Sequence, residues 1–536
     1  MNKTRILALV LALMLVLSGA ALADGNFNET GLPIVNDKIE MTVAVARHGN
    51  DTSASYNDKH FAIDAEEQTN IHINWIEISN DASERLAVML AGDMPDAFMG
   101  LLNDSLMVQN SSMFLVLDDL IETYCPNVYA YYEAEIDGWR EYLTYPDGHI
   151  YSLMGDYAYS YNNSVNGLPF INKTWLEKVG KEVPTTLDEL HDVLAAFRDN
   201  DMDGDGDATN EIPFDFCEAH YAGHLTNLAT YFGLALNNET WYDIIDGKVT
   251  PLVTTDEYRN YLETMYQWGQ EGLINLEGLT MANDQYTSDL DSMKVGMFYG
   301  WAPYTYITAF DNQQQYVAMA PVSANGVTPR VGRANPMRAN RNNFVIAANS
   351  QYQKEALRWW DFLSHDQDYA MFVNRGEDGL IYKKGDDGVY YAHTPTVDDL
   401  KKFGYDESMA GLIGTSSFAA TPGTVNNHPL VKNAISPDIE NDPTNSTAVR
   451  AIAMNLTSPY FVEQYQSKAI VPADIQEELD FATDGMATYI KAFAAEAVQQ
   501  GVTDASWEAY LSELSNYGYD FYIEWNQKYF DGTLGE

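Results

Sequence analysis

The amino-acid sequence predicts an α/β protein built as two lobes. The chain's length, a strand–helix rhythm near its start and a second such block in its middle carry that prediction. At 536 residues the chain exceeds what one hydrophobic core organises, and 46% of it is apolar, enough for two cores. The first block begins with Glu40 to Val45, which reads as a strand ending in the loop Ala46-Arg47-His48-Gly49-Asn50. After a helical stretch, Ile71 to Ile78 alternates apolar and polar residues as a half-buried strand does. Glu84 to Leu90 reads as a helix, and Pro95 to Met99 starts another strand. Strands separated by helices predict a largely parallel sheet.

The middle block repeats the rhythm. Asn166 to Asn172 is strand-like and Lys173 to Val179 helical. Thr186 with Glu189 three residues on is a capping box, and Leu187, Leu190, Val193, Leu194 and Phe197 then share one helical face as far as Arg198. Tyr258 to Gly272 is a further amphipathic helix, and Val295 to Tyr299 is a strand ending at Gly300-Trp301. Asn343 to Ala348 reads as a strand and Glu355 to Leu363 as a helix. The tail from Ile475 to Lys528 is helical with an interruption near Gly501. No internal repeat is present.

The first residues read as an export signal. Lys3 and Arg5 precede an apolar run from Ile6 to Leu17, and Ala21-Leu22-Ala23 offers a small-residue cleavage site before Asp24. The run is shorter than the ~20 residues of a spanning helix. Residues 24–38 are polar with Gly and Pro, and read as a leader.

The formal charge is −48, which repels phosphate backbones and argues against nucleic acid as a partner. Two cysteines, Cys125 and Cys217, allow one disulfide, and spacing leaves their pairing open. The 36 Tyr and 10 Trp offer flat faces with a polar edge, which suit sugar rings and ordinary cores alike. No phosphate loop, HExxH zinc motif or GxSxG elbow occurs. Acidic residues are so numerous that counting them neither finds nor removes a glycosidase-type carboxylate pair.

The sharpest local signal is the acidic loop 199–211. Asp201, Asp203 and Asp205 alternate with Gly204 and Gly206, so a tight turn converges their carboxylates, and a hard Ca²⁺ takes six to eight such oxygens. The expected ligands are the side chains of Asp201, Asp203, Asp205, Asn210 and Glu211 with the backbone carbonyl of Asp207. Counted from Asp201, Glu211 falls at position eleven, so the loop is EF-hand-like without being an EF-hand. A solvated acidic turn is the alternative.

The chain resembles the family 1 extracellular solute-binding proteins, in particular the large lipoprotein-type subgroup that includes alginate-binding proteins. The resemblance is carried by Leu86 to Asp96, Leu117-Asp-Asp-Leu-Ile121, Asp147-Gly-His-Ile-Tyr-Ser-Leu153, Asn172 to Gly180 with Val183 to Leu190, the loop closing on Asn210-Glu-Ile-Pro213, Asn374 to Gly379, and Trp507 to Gln527. It implies a type II periplasmic-binding-protein fold, with two lobes, a hinge and an interlobe cleft. It also implies delivery of an oligosaccharide to an ABC transporter permease without catalysis. The expected division is a signal peptide over 1–23, a leader over 24–38, an N-terminal lobe over 39–155 plus roughly 317–400, and a C-terminal lobe over 156–316 plus roughly 401–536. Relatives are often tethered through a Cys after an L-S-G box. Here Leu17-Ser-Gly is followed by Ala20, so a periplasmic, secreted or permease-held protein is expected, acting as a monomer.

Ligands of open α/β sheets bind beyond the carboxyl ends of strands. That rule points to Arg47, His48 and Asn50, to the stretch from Met99, and to Trp301, an aromatic platform if it is not a core residue. Tyr157, Tyr159 and Tyr161 fall in the expected hinge-side loop. Arg338 and Arg341 offer forked donors for hydroxyls or a carboxylate, or else make surface ion pairs. Three alternatives stay open: a binder of peptides or another solute, a secreted carbohydrate-active enzyme, and a calcium-binding surface protein without a cleft.

Overall fold

The computed structural model describes residues 23–47, 53–78, 82–156, 165, 167–236, 240–333, 339–380, 382–392, 396–405, 446–463 and 470–534. His48, Asn50, Tyr157, Tyr159, Tyr161, Arg338 and most of the expected signal peptide lie outside them. The chain divides into two compact units. Among the described residues, those up to 156 and from 339 to 377 form the first, and the remainder form the second.

The first unit is built on a five-stranded sheet in the order Ile71–Ile78, Ile39–Ala46, Ala97–Met99, Ala339–Ile346, Ser152–Asp156. The first three strands are parallel, and Ala339–Ile346 enters antiparallel to both its neighbours. The sheet is therefore mixed, where local rhythm predicts a largely parallel one. The returning strand comes from some 180 residues further along the chain, out of reach of any local pattern. Ile39–Ala46 is flanked on both sides, and Met41, Val43, Ala44 and Val45 are all buried, as a central parallel strand requires. The helix Gln353–Phe362 packs Trp360 flat on Phe344, with centroids 4.7 Å apart, and Trp359 against Trp75. Its next residue, Asp361, accepts hydrogen bonds from the backbone N–H groups of Asn127 and Val128, both 2.9 Å, and so caps the helix Pro126–Glu135 from another element.

Residues 24–38 are part of this unit, not a leader. Ile34 and Val35 are buried in its core, Phe27 bridges Val35 and packs on Tyr124, and the Arg358 guanidinium holds the carbonyls of Asn28 and Gly31. Two adjacent apolar residues in a polar stretch supply the anchor that composition hides.

The second unit holds a four-stranded sheet in the order Tyr316–Ala318, Leu168–Asn172, Val295–Gly300, Ile212–Asp215. Tyr316–Ala318 pairs antiparallel with Leu168–Asn172, which keeps residues 316–333 in this unit and moves the expected crossing at 317 to near 339. The other crossing falls at 377 instead of roughly 400. The capping box forms as predicted, with the Thr186 side chain accepting from Glu189 N and Glu189 accepting from Thr186 N, at the head of Leu187–Arg198. The tail is four helices, Ala473–Ala482, Met486–Gln500, Asp504–Asn516 and Tyr519–Asp531, broken three times where the sequence shows one break. Met486–Gln500 lies along Asp256–Gln270, and Tyr510, Leu514 and Tyr519 are buried in the same core.

Cys125 and Cys217 are free and buried, one in each unit, with their thiols on the carbonyls of Leu357 and Met281. Burial raises both thiols above their ordinary range, which suits inert core residues.

Candidate ligand platform and metal loop

Val295–Gly300 is buried along its whole length and lies between Leu168–Asn172 and Ile212–Asp215. It ends at Gly300, where a Cβ would stand 2.5 Å from Cε2 of Tyr306. Glycine lets Tyr306 lie against the strand end, where its hydroxyl accepts the Trp301 N–H at 2.9 Å. The Trp301 carbonyl accepts from Nη1 of Arg450 at 2.6 Å, and Nη2 of Arg450 donates to the Val165 carbonyl at 3.1 Å. The guanidinium carbon of Arg450 lies 3.3 Å from the centroid of the Trp301 ring. Arg450 comes from the helix Ser446–Thr457 and is 4% exposed, while Trp301 is half-buried. Burial pulls the Arg450 guanidinium down to about 10, which leaves it charged at neutral pH.

A second ring flanks this point. Tyr221 is 51% exposed, and its hydroxyl hydrogen-bonds Tyr306. Beneath it lies His220, with ring centroids 4.5 Å apart. The buried His220 accepts backbone N–H groups from Ala222 and Gly223 on Nδ1, at 3.1 and 3.0 Å, which leaves its proton on Nε2. Burial, followed by the neighbouring His224, lowers it to about 4, so it is a neutral wedge at physiological pH. Trp301 and Tyr221 thus present aromatic surface at a strand's carboxyl end, backed by Arg450, Tyr306 and His220. Sequence reading finds Trp301 and misses Tyr221, Tyr306 and Arg450. Arg450 lies 149 residues from Trp301 and carries no local signal.

The described ligand candidates of the first unit, Arg47 and Arg341, each pair with an acidic side chain. Arg47 follows Ile39–Ala46, donates to Glu77 Oε2 at 2.6 Å and holds the Ser53 carbonyl, while Glu77 Oε1 accepts from Tyr56 N at 2.8 Å. This cluster holds Ser53 and Tyr56 beside the ends of two strands. Arg341 is buried, pairs with Asp104 and stands over the Tyr142 ring at 4.1 Å. Asn342 donates to the other Asp104 oxygen at 2.7 Å and accepts from the Tyr145 hydroxyl. Asp104 opens the helix after the Ala97–Met99 strand end, so the cluster occupies the place the topological rule indicates.

The acidic loop is ordered around its own carboxylates. Ligand oxygens of Asp201, Asp203 and Asp205 lie within 4.8 Å of one another. Asp201 accepts from the N–H groups of Gly204 (2.7 Å) and Gly206 (3.1 Å), and both glycines have positive φ. Asp207 Oδ1 accepts from both the N–H (3.0 Å) and the hydroxyl (2.6 Å) of Thr209. Met202 is buried beneath the loop, and its N–H donates to Glu211 Oε1 at 2.6 Å. Asn210 Oδ1 and Glu211 Oε2 are buried without a hydrogen-bond partner. Buried orphan oxygens beside converging carboxylates fit a hard cation, and among the described residues no zinc-type nitrogen or sulfur donor joins the group. The loop runs into the start of Ile212–Asp215, which pairs in parallel with Val295–Gly300, whereas Trp301 follows the latter's end. At ~3.3 Å per residue, a six-residue strand sets loop and platform roughly 20 Å apart.

The family model for bacterial extracellular solute-binding proteins matches residues 53–369. The fructooligosaccharide ABC transporter substrate-binding protein FusA of Streptococcus pneumoniae serotype 4 is 27% identical over 480 residues, 87% of this chain and 85% of that protein. The polygalacturonan/rhamnogalacturonan-binding protein YtcQ of Bacillus subtilis is 25% identical over 74% of this chain and 78% of its own length. Among solved structures, S. pneumoniae FusA in complex with kestose superposes with a TM-score of 0.72 at 24% identity, covering 92% of this chain and 99% of that one. An EF-hand mutant of FusA in complex with fructo-nystose gives the same TM-score at 23% identity, with the same coverage. With the matched region spanning more than half its length, and a two-unit α/β architecture to accompany it, the chain belongs to the bacterial extracellular solute-binding protein family.

Proposed function

We propose that this protein is exported, captures an oligosaccharide without turning it over, and delivers it as a monomer to an ABC transporter permease. The observation that carries the reading is the partly exposed Trp301 platform flanked by Tyr221 at a strand's carboxyl end. A sugar's C–H face packs on such a ring while its hydroxyls reach polar edges, an arrangement suited to capture. The 27% identity to a fructooligosaccharide-binding protein supports the same class of ligand. Among the described residues, no helix is long and apolar enough to cross a membrane.

We assign the loop 199–211 to a structural Ca²⁺, held by Asp201, Asp203, Asp205, Asn210, Glu211 and the carbonyl of Asp207. The ion's part is to neutralise the carboxylates and fix the turn that enters the sheet. Its distance from Trp301 keeps it out of ligand contact.

Calorimetry against fructo-, galacturono- and gluco-oligosaccharides tests the reading. One class should bind, and Trp301→Ala should weaken that binding by about thirtyfold or more, the loss expected of a central aromatic anchor. Binding of peptides with no response to any saccharide would sink it, and so would release of shortened sugars during the titration.

A further inference from the structure

We infer that Arg450 is the positioning residue for Trp301: it fixes the indole as a one-faced platform, so that a sugar ring stacks on the outward face alone. The inference rests on the reading of Trp301 as the ligand platform.

A partly exposed Trp at the end of a strand keeps rotamer freedom that binding must remove. Here the backbone of Trp301 is held on both sides, its N–H by the Tyr306 hydroxyl and its carbonyl by Arg450 Nη1. The same guanidinium lies 3.3 Å from the ring centroid, within stacking distance, and so covers one face. Its second arm is fixed on the Val165 carbonyl, just before the strand Leu168–Asn172. The planar fork thus joins a neighbouring backbone, the Trp301 backbone and the Trp301 ring at once. A lysine ammonium is a compact point charge that lacks this geometry. The helix that carries Arg450 packs on Leu168–Asn172 and Tyr316–Ala318, so the guanidinium is held by sheet and helix together. Arranging the ring in advance spares the ligand the ordering of one side chain, about two- to tenfold in affinity.

The test uses the full chain labelled with 5-fluorotryptophan. The Trp301 resonance, one of ten, is assigned by its loss in Trp301→Phe. In the wild type its ¹⁹F line should be as broad as those of the buried Trp359 and Trp360, assigned likewise. A narrow, motionally averaged wild-type line would overturn the proposal without any Arg450 variant. In Arg450→Lys and Arg450→Met the line should shift and narrow. Whichever of kestose or trigalacturonate the wild type binds should bind about two- to tenfold more weakly, while circular dichroism remains native. An unmoved Trp301 line in a folded Arg450 variant means that the arginine only joins helix to sheet, and the proposal fails. A wild type that binds neither sugar overturns the ligand reading, while the line widths still decide whether Arg450 positions the ring.

Discussion

Each unit of this protein buries an arginine against an aromatic ring, and the two are put to different use. In the first unit Arg341 stands over Tyr142 and forms an ion pair with Asp104, whose other oxygen takes Asn342. In the second unit Arg450 lies closer to its ring, 3.3 Å against 4.1 Å, and two of its hydrogen bonds run to the carbonyls of Trp301 and Val165. A carboxylate partner makes the first arginine a fastening between a strand and a helix start. Carbonyl partners on the ring's own residue make the second a support for that ring. A buried guanidinium is thus distinguished by what receives its hydrogen bonds, since burial and ring contact are common to both.

The largest effect expected from this contrast concerns stability. Asp104→Asn leaves Arg341 buried beside a neutral partner and should cost about 2 kcal/mol, less than for a fully buried pair because the Asp104 side chain is 46% exposed. Urea unfolding measures it, and a variant as stable as the wild type would remove the distinction between the two arginines. A smaller effect is expected from calcium. Chelation should lower the melting temperature by a few degrees, equivalent to about 1–3 kcal/mol of lost ligand linkage. Sugar affinity measured well below the transition should hardly change, because the loop is remote from Trp301. Asp203→Asn should abolish the response to chelator, and an affinity that falls with the ion would place calcium at the ligand.

The smallest effect is a pH slope with two opposed parts. Burial raises Asp215, whose carboxylate also meets Asn275 Nδ2 and the Phe216 N–H, to about 7. Its ordinary value in the unfolded chain is near 4. Between those values the folded state binds more protons, so this contribution is present below about pH 4 and is lost as pH rises through 7. His220 does the reverse: with about 4 folded and about 6.5 unfolded, its contribution is present above 6.5 and is lost as pH falls to 4. The two offset one another in the wild type. Asp215→Asn removes the first, so its stability relative to wild type should increase from pH 4 to 7 and then level off. A constant difference across that range in denaturant unfolding would show that Asp215 is ionised in the fold.

Local elements were legible because their causes are local. Ile71–Ile78 was bounded from alternation alone, and Leu187–Arg198 from one capping box and one apolar face. The acidic loop was legible for the same reason, since its carboxylates lie within eleven residues of one another. Trp301 was found because it ends a readable strand. Tyr221 was missed because it lies in irregular backbone, where exposure follows from packing. The leader over 24–38 was misread because two apolar residues, Ile34 and Val35, outweigh a polar composition once a core stands beside them.

Local pattern thus defines several strands and helices in each α/β block, the acidic turn and a ring at a strand's end, while Ile212–Asp215 and Tyr316–Ala318 escape it. Long-range packing sets the rest: Ala339–Ile346 enters the first sheet, Arg341 meets Asp104 across 237 residues, and Arg450 meets Trp301 across 149. Periodicity and capping are free energies of neighbours along the chain. Long-range pairings are chosen by the packing of whole sheets and helices, which no single segment encodes.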